Sequence, residues 1–379
     1  MNILIIGGGM ITQEVILPSV EIFFNRHGKG DLLIASRRAQ TLNTIETAFP
    51  SLSFQGWPKS GTDPDGWKKA LDALKPPAAV IVATPDDFHT QPVIESIQRG
   101  FDCIVEKPLC LTRADALLIR DTADSHNAYV YTDYHKRHDN ALRALKYRYD
   151  HGEMGEVLTS SAYIEERREM PLITFARWCE RSSPFEYIGC HYVDLFHYIT
   201  GLKPKTLIAF GQKNLLPIRG KDAFDAVEAL IEWENGSVQY VQTSWVLPDG
   251  NPNLTNQGFQ MTCTEGEFRA DNADRNSNFV TQSHGYERFN PYFCKPYTDW
   301  DDPERTKWEG YGIESLLQPL EDILGLTSSS QKERKERIAT FERTRPLPRQ
   351  ALIATSVIEA VRISLAKGNE KVSLEKVCD

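Results

Sequence analysis

Three side chains in the second half of the chain have the types and spacing that proton transfer requires. Tyr187, His191 and Asp194 lie at i, i+4 and i+7, so a helix presents them on one face. A histidine exchanges protons with a hydroxyl group near neutral pH, a tyrosine can relay that proton, and an aspartate can orient the imidazole.

Two other interpretations of this motif stay open. His191 can be a buried structural histidine, or His191, Asp194 and His197 can be metal ligands. The metal interpretation is the poorer one, because His197 lies about 120° around the helix from His191 and no third carboxylate is nearby. We therefore predict no metal site.

A lysine in the first half of the chain is a second candidate for chemistry. The apolar run 102–105 predicts a buried strand that ends in Glu106-Lys107-Pro108. A lysine at the mouth of a ligand crevice can hydrogen-bond a substrate oxygen. A surface lysine is an equally good interpretation of the spacing alone.

A glycine-rich turn near the amino terminus predicts the crevice itself. The run Ile3 to Ile6 predicts a buried parallel strand, and Gly7, Gly8 and Gly9 follow it at once. Such a turn lets the backbone approach a pyrophosphate at the start of the next helix, which indicates dinucleotide binding. Thr12 stands where the pattern has its third small residue, and a plain tight turn is the alternative.

The residues after the second predicted strand favour one dinucleotide over the other. The strand 32–35 is followed by Ser36-Arg37-Arg38, where an NAD-binding enzyme usually has an Asp or Glu. One hydroxyl and two guanidinium groups suit a 2′-phosphate. We therefore favour NADP(H), with NAD(H) as the other possibility, while an exposed helix start is the alternative explanation of both arginines.

Two further turns lie at carboxyl ends of predicted strands, where ligands bind in parallel sheets. Thr84-Pro85 follows the strand 79–83 and leads to His89. Asp133-Tyr134-His135-Lys136-Arg137 follows the strand 128–132, and we expect Tyr134 to face the substrate. A solvated helix start explains the charges of the second turn equally well.

Composition limits the class of function. The chain has 379 residues and a formal net charge of -9, which argues against a nucleic-acid partner. No apolar run approaches the roughly 20 residues of a membrane helix, and the first strand begins at residue 2, with no room for a signal peptide. We expect a cytoplasmic protein that acts on a small molecule and has no membrane partner.

The cysteines support the same compartment. They lie at positions 103, 110, 179, 190, 263, 294 and 378. Because this odd set contains no C-x-x-C spacing, we expect buried thiols rather than a disulfide framework or a zinc ribbon.

The order of the predicted elements gives the fold class and the domains. Alternating strands and helices up to about residue 150 predict an α/β fold with a doubly wound parallel sheet. From Gly155 onward the runs alternate, and 226–233 and 237–245 flank a hairpin turn, which predicts an α+β domain with a large, mostly antiparallel open sheet. We place the domains at 1–134 and 135–379.

Two segments of the second domain have no assigned chemistry at this level. Residues 271–311 are polar and rich in aromatics, and we expect them to wall a substrate cleft or to mediate assembly. The charged run 332–345 is most simply a solvated helix or loop.

Taken in chain order, these motifs resemble the Gfo/Idh/MocA family of oxidoreductases, which includes glucose-fructose oxidoreductase and inositol dehydrogenases. The similar motifs are the glycine turn, Thr84-Pro85 with His89, Glu106-Lys107-Pro108, Lys136-Arg137, Gly152-x-x-Gly155 and Gly189-x-His191-x-x-Asp194. Each motif alone is weak, but the ordered set is specific and extends over most of the chain.

The resemblance implies a Rossmann domain that binds NAD(P), followed by a domain with a large open sheet. It also implies a sugar, cyclitol or related polyol as substrate, and a homodimer or homotetramer formed through the C-terminal sheet. Lys107 is similar to the family's catalytic lysine and His191 to its catalytic histidine. The residues expected at the cofactor are Gly7, Gly9, Met10, Ile11, Ser36, Arg37, Arg38, Thr84, Pro85, His89, Glu106 and Lys107.

The leading prediction is hydride transfer between C4 of NADP(H) and a carbinol carbon. His191 exchanges the hydroxyl proton, Lys107 hydrogen-bonds the same oxygen, and Tyr187 orients or relays. The residues expected to grip substrate hydroxyls are Arg177, Trp178, Glu180 and Arg181, for which ordinary surface placement is the alternative.

One position departs from the family pattern and keeps other functions open. Many dehydrogenases of the family carry Asp four residues before the histidine, and this chain has Tyr187 there, beside Glu186. A phenol with a reference pKa of about 10 does not serve as a resting anionic base, although it can donate a proton. Related NAD-dependent glycosidases also pair Tyr with His, so a hydrolase or lyase that acts by transient oxidation is an alternative.

A third possibility is a non-catalytic, cofactor-sensing regulator similar to the galactose-regulon repressors. The presence of both Lys107 and His191 argues against that function.

Overall fold

A computed structural model describes residues 1–374 and divides them into two compact units. The first unit comprises residues 1–110, 114–138 and 292–351. The second unit comprises residues 111–113, 139–291 and the described residues from 352 onward. Cys378, one of the cysteines expected to be a buried thiol, lies outside the described residues, while the cysteines at 103, 110, 179, 190, 263 and 294 are buried.

The first part of the chain alternates strands and helices as the sequence predicts. The elements are β1 (Asn2–Ile6), α1 (Leu17–His27), β2 (Leu32–Ala35), α2 (Ala39–Ala48), β3 (Gln55–Trp57), α3 (Gly66–Ala73), β4 (Ala78–Val82), α4 (Thr90–Gln98), β5 (Asp102–Glu106), α5 (Arg113–His126) and β6 (Val130–Asp133).

These strands form a parallel sheet with the order β3-β2-β1-β4-β5-β6. Its apolar runs, such as Ile3 to Ile6, are almost completely buried, as expected for strands with both faces covered. The strand order reverses between β1 and β4, and Ile6 pairs in register with both Ala35 and Val82. The carboxyl ends of β1, β2 and β4 therefore lie side by side, where a doubly wound sheet binds its ligand. This confirms the predicted doubly wound sheet.

The middle of the chain is rich in strands. Its elements are α6 (Asn140–Asp150), β7 (Val157–Arg167), α7 (Cys190–Thr200), β8 (Pro204–Gln212), α8 (Leu215–Ile218), β9 (Ala226–Trp233), β10 (Val238–Leu247), β11 (Thr255–Cys263) and β12 (Glu267–Asp271). A π-helical turn, Phe185–Gly189, leads directly into α7.

The remainder of the described chain contains two hairpins, three helices and a short strand. These elements are β13 (Asn278–Thr281), β14 (Gly285–Arg288), β15 (Lys295–Thr298), β16 (Thr306–Glu309), α9 (Tyr311–Leu326), α10 (Gln331–Phe341), α11 (Pro348–Ala366) and β17 (Val372–Ser373).

The second unit is organised around a sheet with the order β12-β11-β7-β10-β9-β8-β17. Its pairings are antiparallel except for the parallel pair β7 and β10, which confirms the mostly antiparallel sheet. The predicted hairpin is formed by β9 and β10, with Gly236 at a positive φ of 84° and the Ser237 amide donating to Asn235 Oδ1 at 3.0 Å. One face of the sheet leaves large side chains exposed, including Phe210, Leu230 and Tyr240.

The largest difference between the packing and the predicted domain boundary concerns one long segment. The sequence prediction places all residues after 134 in the second domain, but residues 292–351 pack with the first unit. The reason is α9, whose apolar face joins the core that contains Val15 and Phe23. The residues of that face are Ile313, Leu316, Leu317, Leu320 and Ile323.

The two segments without assigned chemistry adopt regular structure. Residues 271–311 include the hairpins β13–β14 and β15–β16. The charged run forms α10, a helix with no buried residue, which begins with a capping box between Ser330 and Glu333. The expectation of a solvated helix or loop is therefore met by a helix.

Within residues 1–374, no helix combines the length and the apolar character that crossing a bilayer requires.

Candidate active site

The glycine turn has the shape that a bound dinucleotide needs. Gly7 has a φ of +120°, and a Cβ atom there would lie 2.0 Å from the carbonyl oxygen of Ala83 at the end of β4. A Cβ on Gly9 would meet no atom within 4 Å, so the backbone at this exposed position is open. Met10 and Ile11, which follow, are half-buried. A tight turn with an open backbone face at the switch point fits a pyrophosphate.

Thr12 explains how the turn tolerates a residue larger than the usual small one. Its side chain is fully buried, and its hydroxyl donates to the Gly7 carbonyl oxygen at 3.0 Å. The side-chain Nε2 of Gln13 donates to the Gly8 carbonyl oxygen at 3.0 Å. Both bonds stabilise the turn from within, so the departure from the glycine pattern is accommodated.

Positive charge follows the carboxyl end of β2, as the sequence predicts. Ser36 is half-buried, while Arg37 and Arg38 are exposed. The backbone here is fixed, because the Ser36 amide donates to the Trp57 carbonyl oxygen at 2.8 Å and the Asp63 amide donates to the Arg37 carbonyl oxygen at 3.0 Å. The two arginine side chains therefore extend from a rigid backbone into solvent.

A third cation at this edge was not anticipated. Lys59 Nζ lies 4.9 Å from the centroid of the Trp57 ring, just after β3. Because Ala35 of β2 pairs in register with Trp57, Lys59 belongs to the same edge as Ser36. The position of Lys59 at this edge follows only from the pairing of β2 with β3. A strand of three residues, such as β3, is too short to be predicted from its sequence.

The turn after β4 is held by a buried histidine. Thr84 and Pro85 are half-buried, whereas His89 is only 1% exposed. His89 Nδ1 lies 2.7 Å from the carbonyl oxygen of Pro108, and Nε2 lies 2.9 Å from that of Thr84. Burial lowers the pKa of His89, while its carbonyl partners act in the opposite sense. His89 therefore links the turn after β4 to the segment after Lys107, and a direct cofactor contact is not supported for it.

Lys107 stands at the carboxyl end of β5, beside two buried acids. Its side chain is half-buried, and the preceding Glu106 pairs in register with Asp133 at the end of β6. Burial, and then the nearby Asp133 carboxyl, raise the pKa of Glu106 to about 8. Burial also raises the pKa of Asp133 to about 7, against the opposing effects of a Ser315 hydrogen bond and of Lys107. The structure therefore buries Glu106 beneath the site rather than exposing it to a cofactor.

The turn after β6 is packed more deeply than the sequence suggests. Tyr134 has no exposed surface, and Lys136 and Arg137 are buried. Arg137 Nη1 donates to Gln350 Oε1 at 2.6 Å. Tyr134, predicted to contact substrate, is therefore left out of the proposed site, because a fully buried ring offers no surface to a ligand. The solvated helix start is also wrong for this turn.

In the second unit, His191 is the second residue of the buried helix α7. The π-helical turn Phe185–Gly189 carries Tyr187, and α7 carries His191 and Asp194, which are 3% and 1% exposed. A Cβ on Gly189 would lie 3.0 Å from Thr243 Cγ2, so this glycine allows close packing on β10. Gln239 Nε2 donates to the Tyr192 carbonyl oxygen at 2.8 Å and fixes the helix to the same strand.

Aromatic rings surround Tyr187. Its ring centroid lies 4.7 Å from Phe175, 5.2 Å from Trp178 and 6.3 Å from Trp245. Phe175 and Trp245 are buried, whereas Tyr187 and Trp178 are partly exposed. Trp245 is anchored by its Nε1 hydrogen bond to Glu166 Oε2 at 3.0 Å. We call Phe175, Trp178, Tyr187 and Trp245 the aromatic cluster.

The other predicted substrate residues lie in the loop beside this cluster. Arg177, Glu180 and Arg181 are exposed. Glu180 Oε1 accepts from the Asp222 amide at 3.0 Å, and Arg181 Nη1 donates to the Arg177 carbonyl oxygen at 3.1 Å. The side chains of Glu180 and Arg181 thus support the loop, whereas Arg177 contributes its carbonyl oxygen to it.

His197 has a structural role in the same helix. Its Nδ1 lies 2.8 Å from the carbonyl oxygen of Leu202, just beyond the left-handed Gly201 that ends α7. Across residues 1–374, no three His, Cys, Asp or Glu side chains are grouped so that they could hold a metal ion.

Comparisons with known proteins agree with this architecture. A sequence model described as "Oxidoreductase family, NAD-binding Rossmann fold" matches residues 1–134. A model of the GFO/IDH/MocA C-terminal domain matches residues 142–269. Together the two models of this family match more than half of the chain.

Two curated relatives match parts of the chain. D-glucoside 3-dehydrogenase from Escherichia coli is 21% identical over 273 residues, which are 68% of this chain and 74% of that protein. 2,7-Anhydro-N-acetylneuraminate hydratase from Mediterraneibacter gnavus is 26% identical over 184 residues, which are 45% of this chain and 49% of that protein. The chain thus spans about half the length of the second relative.

A solved structure has the same fold over its whole length. The crystal structure of scyllo-inositol dehydrogenase from Lactobacillus casei, with bound NAD(H) and scyllo-inositol, covers 99% of both chains with a TM-score of 0.68 and 16% identity. At this identity the likeness concerns the fold alone. With both of its domains matched by the family's sequence models, the chain belongs to the Gfo/Idh/MocA family of oxidoreductases.

Proposed function

We propose that this protein is an NAD(P)-dependent oxidoreductase that interconverts a secondary alcohol and a ketone on a sugar, cyclitol or related polyol. The observation that carries the proposal is the position of Lys107. It follows β5, which pairs with β4, and β4 ends beside the glycine turn after β1. An ammonium group thus stands at the ligand edge of the sheet that carries the dinucleotide turn.

The side chains divide the chemistry between them. A nicotinamide bound at the glycine turn would supply the acceptor or donor for the hydride of the carbinol carbon. His191 takes the hydroxyl proton during oxidation and gives it back during reduction, while Lys107 hydrogen-bonds the same oxygen and stabilises its developing negative charge. Tyr187 orients the substrate or relays the proton.

The cofactor side of the proposal favours NADP(H). Arg37 and Arg38 extend from a fixed backbone at the end of β2, and Lys59 adds a third positive charge at this edge. Guanidinium and ammonium groups suit a 2′-phosphate, whereas an NAD-binding site usually places a carboxylate there.

The aromatic cluster supports a ring-shaped substrate. Trp178 and Tyr187 present partly exposed aromatic faces next to the helix that carries His191. Such faces pack well against the C–H face of a pyranose or cyclitol ring, and Arg177 adds a donor for its hydroxyl groups.

The open sheet face of the second unit supports self-association. Ile208, Leu230 and Tyr240 are neighbours in register across β8, β9 and β10, and Leu230 and Tyr240 are 47% and 39% exposed. A second copy of this chain would bury the row and form a homodimer or homotetramer in the cytoplasm. Analytical ultracentrifugation of Leu230→Asp tests this, because an unchanged sedimentation coefficient would exclude this face.

A second candidate function is a lyase or hydrolase that oxidises its substrate only transiently. Tyr187 in place of an aspartate favours it, as does the likeness to 2,7-anhydro-N-acetylneuraminate hydratase. Incubation with sugars, cyclitols and glycosides distinguishes the two. Stoichiometric reduction of NADP+ supports the oxidoreductase, and conversion without net cofactor reduction supports the second candidate.

A further inference from the structure

The two buried acids beneath Lys107 form a unit that the proposed mechanism does not use. Glu106 and Asp133 are the last residues of neighbouring parallel strands and are register partners. Register partners point to the same side of a sheet, and neighbouring strands lie only about 4.8 Å apart. We call these two residues the carboxyl pair.

The carboxyl pair is almost inaccessible to water and incompletely hydrogen-bonded. Glu106 is 7% exposed and Asp133 is 2% exposed. Within the part of the chain that the structure describes, Glu106 Oε1 and Asp133 Oδ1 have no hydrogen-bond partner. A buried oxygen in this condition is costly as a carboxylate and much less so as a protonated acid.

Two such groups in one buried site cannot both ionise easily. The first carboxylate to form opposes ionisation of the second, so the pair loses its two protons in separate steps. The pKa values of about 8 for Glu106 and about 7 for Asp133 agree with this geometry. Between these steps the pair holds one proton and one negative charge.

The other groups around the carboxyl pair indicate which side chain its negative charge attracts. Lys107 lowers the pKa values of both acids, so it lies within electrostatic reach of both. Burial lowers the pKa of His135 well below its usual value, which leaves that imidazole neutral, and α9 contributes the uncharged Ser315. The turn after β4 also contains the buried Asp86. The turn after β6 contains the buried Lys136 and Arg137.

We propose that Glu106 and Asp133 act as one proton-sharing pair, whose single negative charge holds the ammonium group of Lys107 in position. Both acids are then positioning residues that act through Lys107. The inference rests on the proposed role of Lys107, but the pair itself can be tested without any substrate.

Infrared spectroscopy of the unaltered protein tests the proton directly. We expect a protonated carboxylic C=O band at about pH 7 that disappears by about pH 9, as the second acid ionises. Labelling with 13C-glutamate should shift part of this band, and Glu106→Gln should remove that part. Asp133→Asn should move the disappearance of the band to lower pH, because the Asp133 carboxyl adds to the effect of burial in raising the pKa of Glu106. Asp102→Asn, at the opposite end of β5 and paired with Arg334, is the matched control that should retain it. A spectrum without a protonated band at about pH 7, or a band that no label or variant affects, would overturn the pair.

The rate of Lys107 acylation at one fixed pH of about 8, read by mass spectrometry, tests the positioning role. In each single variant the remaining acid ionises and keeps one negative charge, so the reactivity of Lys107 should change less than about threefold. The double variant Glu106→Gln with Asp133→Asn removes that charge and releases the Lys107 side chain, so its acylation rate should rise about tenfold. Equal reactivity in the double variant and the unaltered protein would refute the positioning role, whatever the protein's substrate proves to be.

Discussion

The candidate site residues of the first unit differ in character from those of the second unit. In the first unit, Lys107 follows a parallel strand and is surrounded by ionisable groups whose protonation is set by burial, such as Glu106 and His135. In the second unit, His191 lies on a helix that starts from a π-helical turn, next to the aromatic cluster. On the proposed function, the first-unit residues control charge and the second-unit residues recognise a ring.

This difference predicts which substitutions affect the reaction rate and which affect substrate binding. A change in the first-unit residues should alter the charge that stabilises a reacting oxygen, so it should change kcat and its pH dependence. A change in the aromatic cluster removes contact area, so it should appear mainly in KM.

The largest expected effect comes from removing the two groups proposed to act on the substrate oxygen, by proton exchange and by hydrogen bonding. Lys107→Ala and His191→Ala should each lower kcat by about 10³-fold, because a positioned acid–base group or an oxyanion donor contributes about 10² to 10⁴. Cofactor affinity, measured by fluorescence titration, should change little. Lys75→Ala and His151→Ala, at exposed positions, are the controls. Near-normal turnover in both site variants would refute their assignment.

Next in size is the effect of Glu106 on stability. Its pKa is about 8 in the folded protein against a reference of 4.5, so the folded state holds an extra proton between these values. The contribution of Glu106 to the free energy of unfolding should therefore be fully present below about pH 4.5 and be lost as pH rises through about 8. Glu106→Gln should remove about 2–4 kcal/mol of this fall, measured by urea unfolding at several pH values.

The exposed Glu336→Gln on α10 is the control for that measurement, and its profile should follow that of the unaltered protein. A steep fall that persists unchanged in Glu106→Gln would show that another group is responsible.

The aromatic cluster predicts a smaller effect with a different signature. Trp178→Ala should raise KM for a ring substrate about tenfold and lower kcat much less, because stacking contributes about 1 kcal/mol beyond the area it buries. Steady-state kinetics should show no change for Trp300→Ala, whose side chain is 95% exposed. An effect on kcat alone would place Trp178 in the chemistry rather than in recognition.

The smallest predicted effect concerns the cofactor. Arg37→Ala should reduce the preference for NADPH over NADH about tenfold, because an exposed charge-assisted contact to a phosphate contributes about 1–2 kcal/mol. The measurement is the ratio of the two Michaelis constants. Arg26→Ala, on α1 and paired with Glu321, should leave the ratio unchanged. A ratio unaffected by Arg37→Ala would remove the argument for NADP(H).

The sequence predicts the fold well wherever the signal is local. The strand 32–35 and the hairpin of β9 and β10 follow from apolar runs and turn residues, and the parallel sheet follows from their alternation with helices. The helix α9 shows the limit, since its apolar spacing at 313, 316, 317 and 320 is visible in the sequence, yet its attachment to the first unit depends on packing across about 300 residues.

The candidate site is predictable only in part, for a related physical reason. Motif spacing identifies Lys107, His191 and the glycine turn, but it says nothing about burial. Tyr134 and His89 were expected to touch ligands, and the structure buries both. The carboxyl pair was also missed, because it exists only through the register between β5 and β6.

The most direct test of the proposed function follows the hydride itself. A ring substrate that carries deuterium at its carbinol carbon should transfer that deuterium to the nicotinamide, so the reduced cofactor isolated after turnover should be one mass unit heavier. Lys107→Ala and His191→Ala should form this labelled product at a rate about 10³-fold lower. Product formed while the deuterium remains in the sugar or is lost to water would contradict hydride transfer as the net reaction.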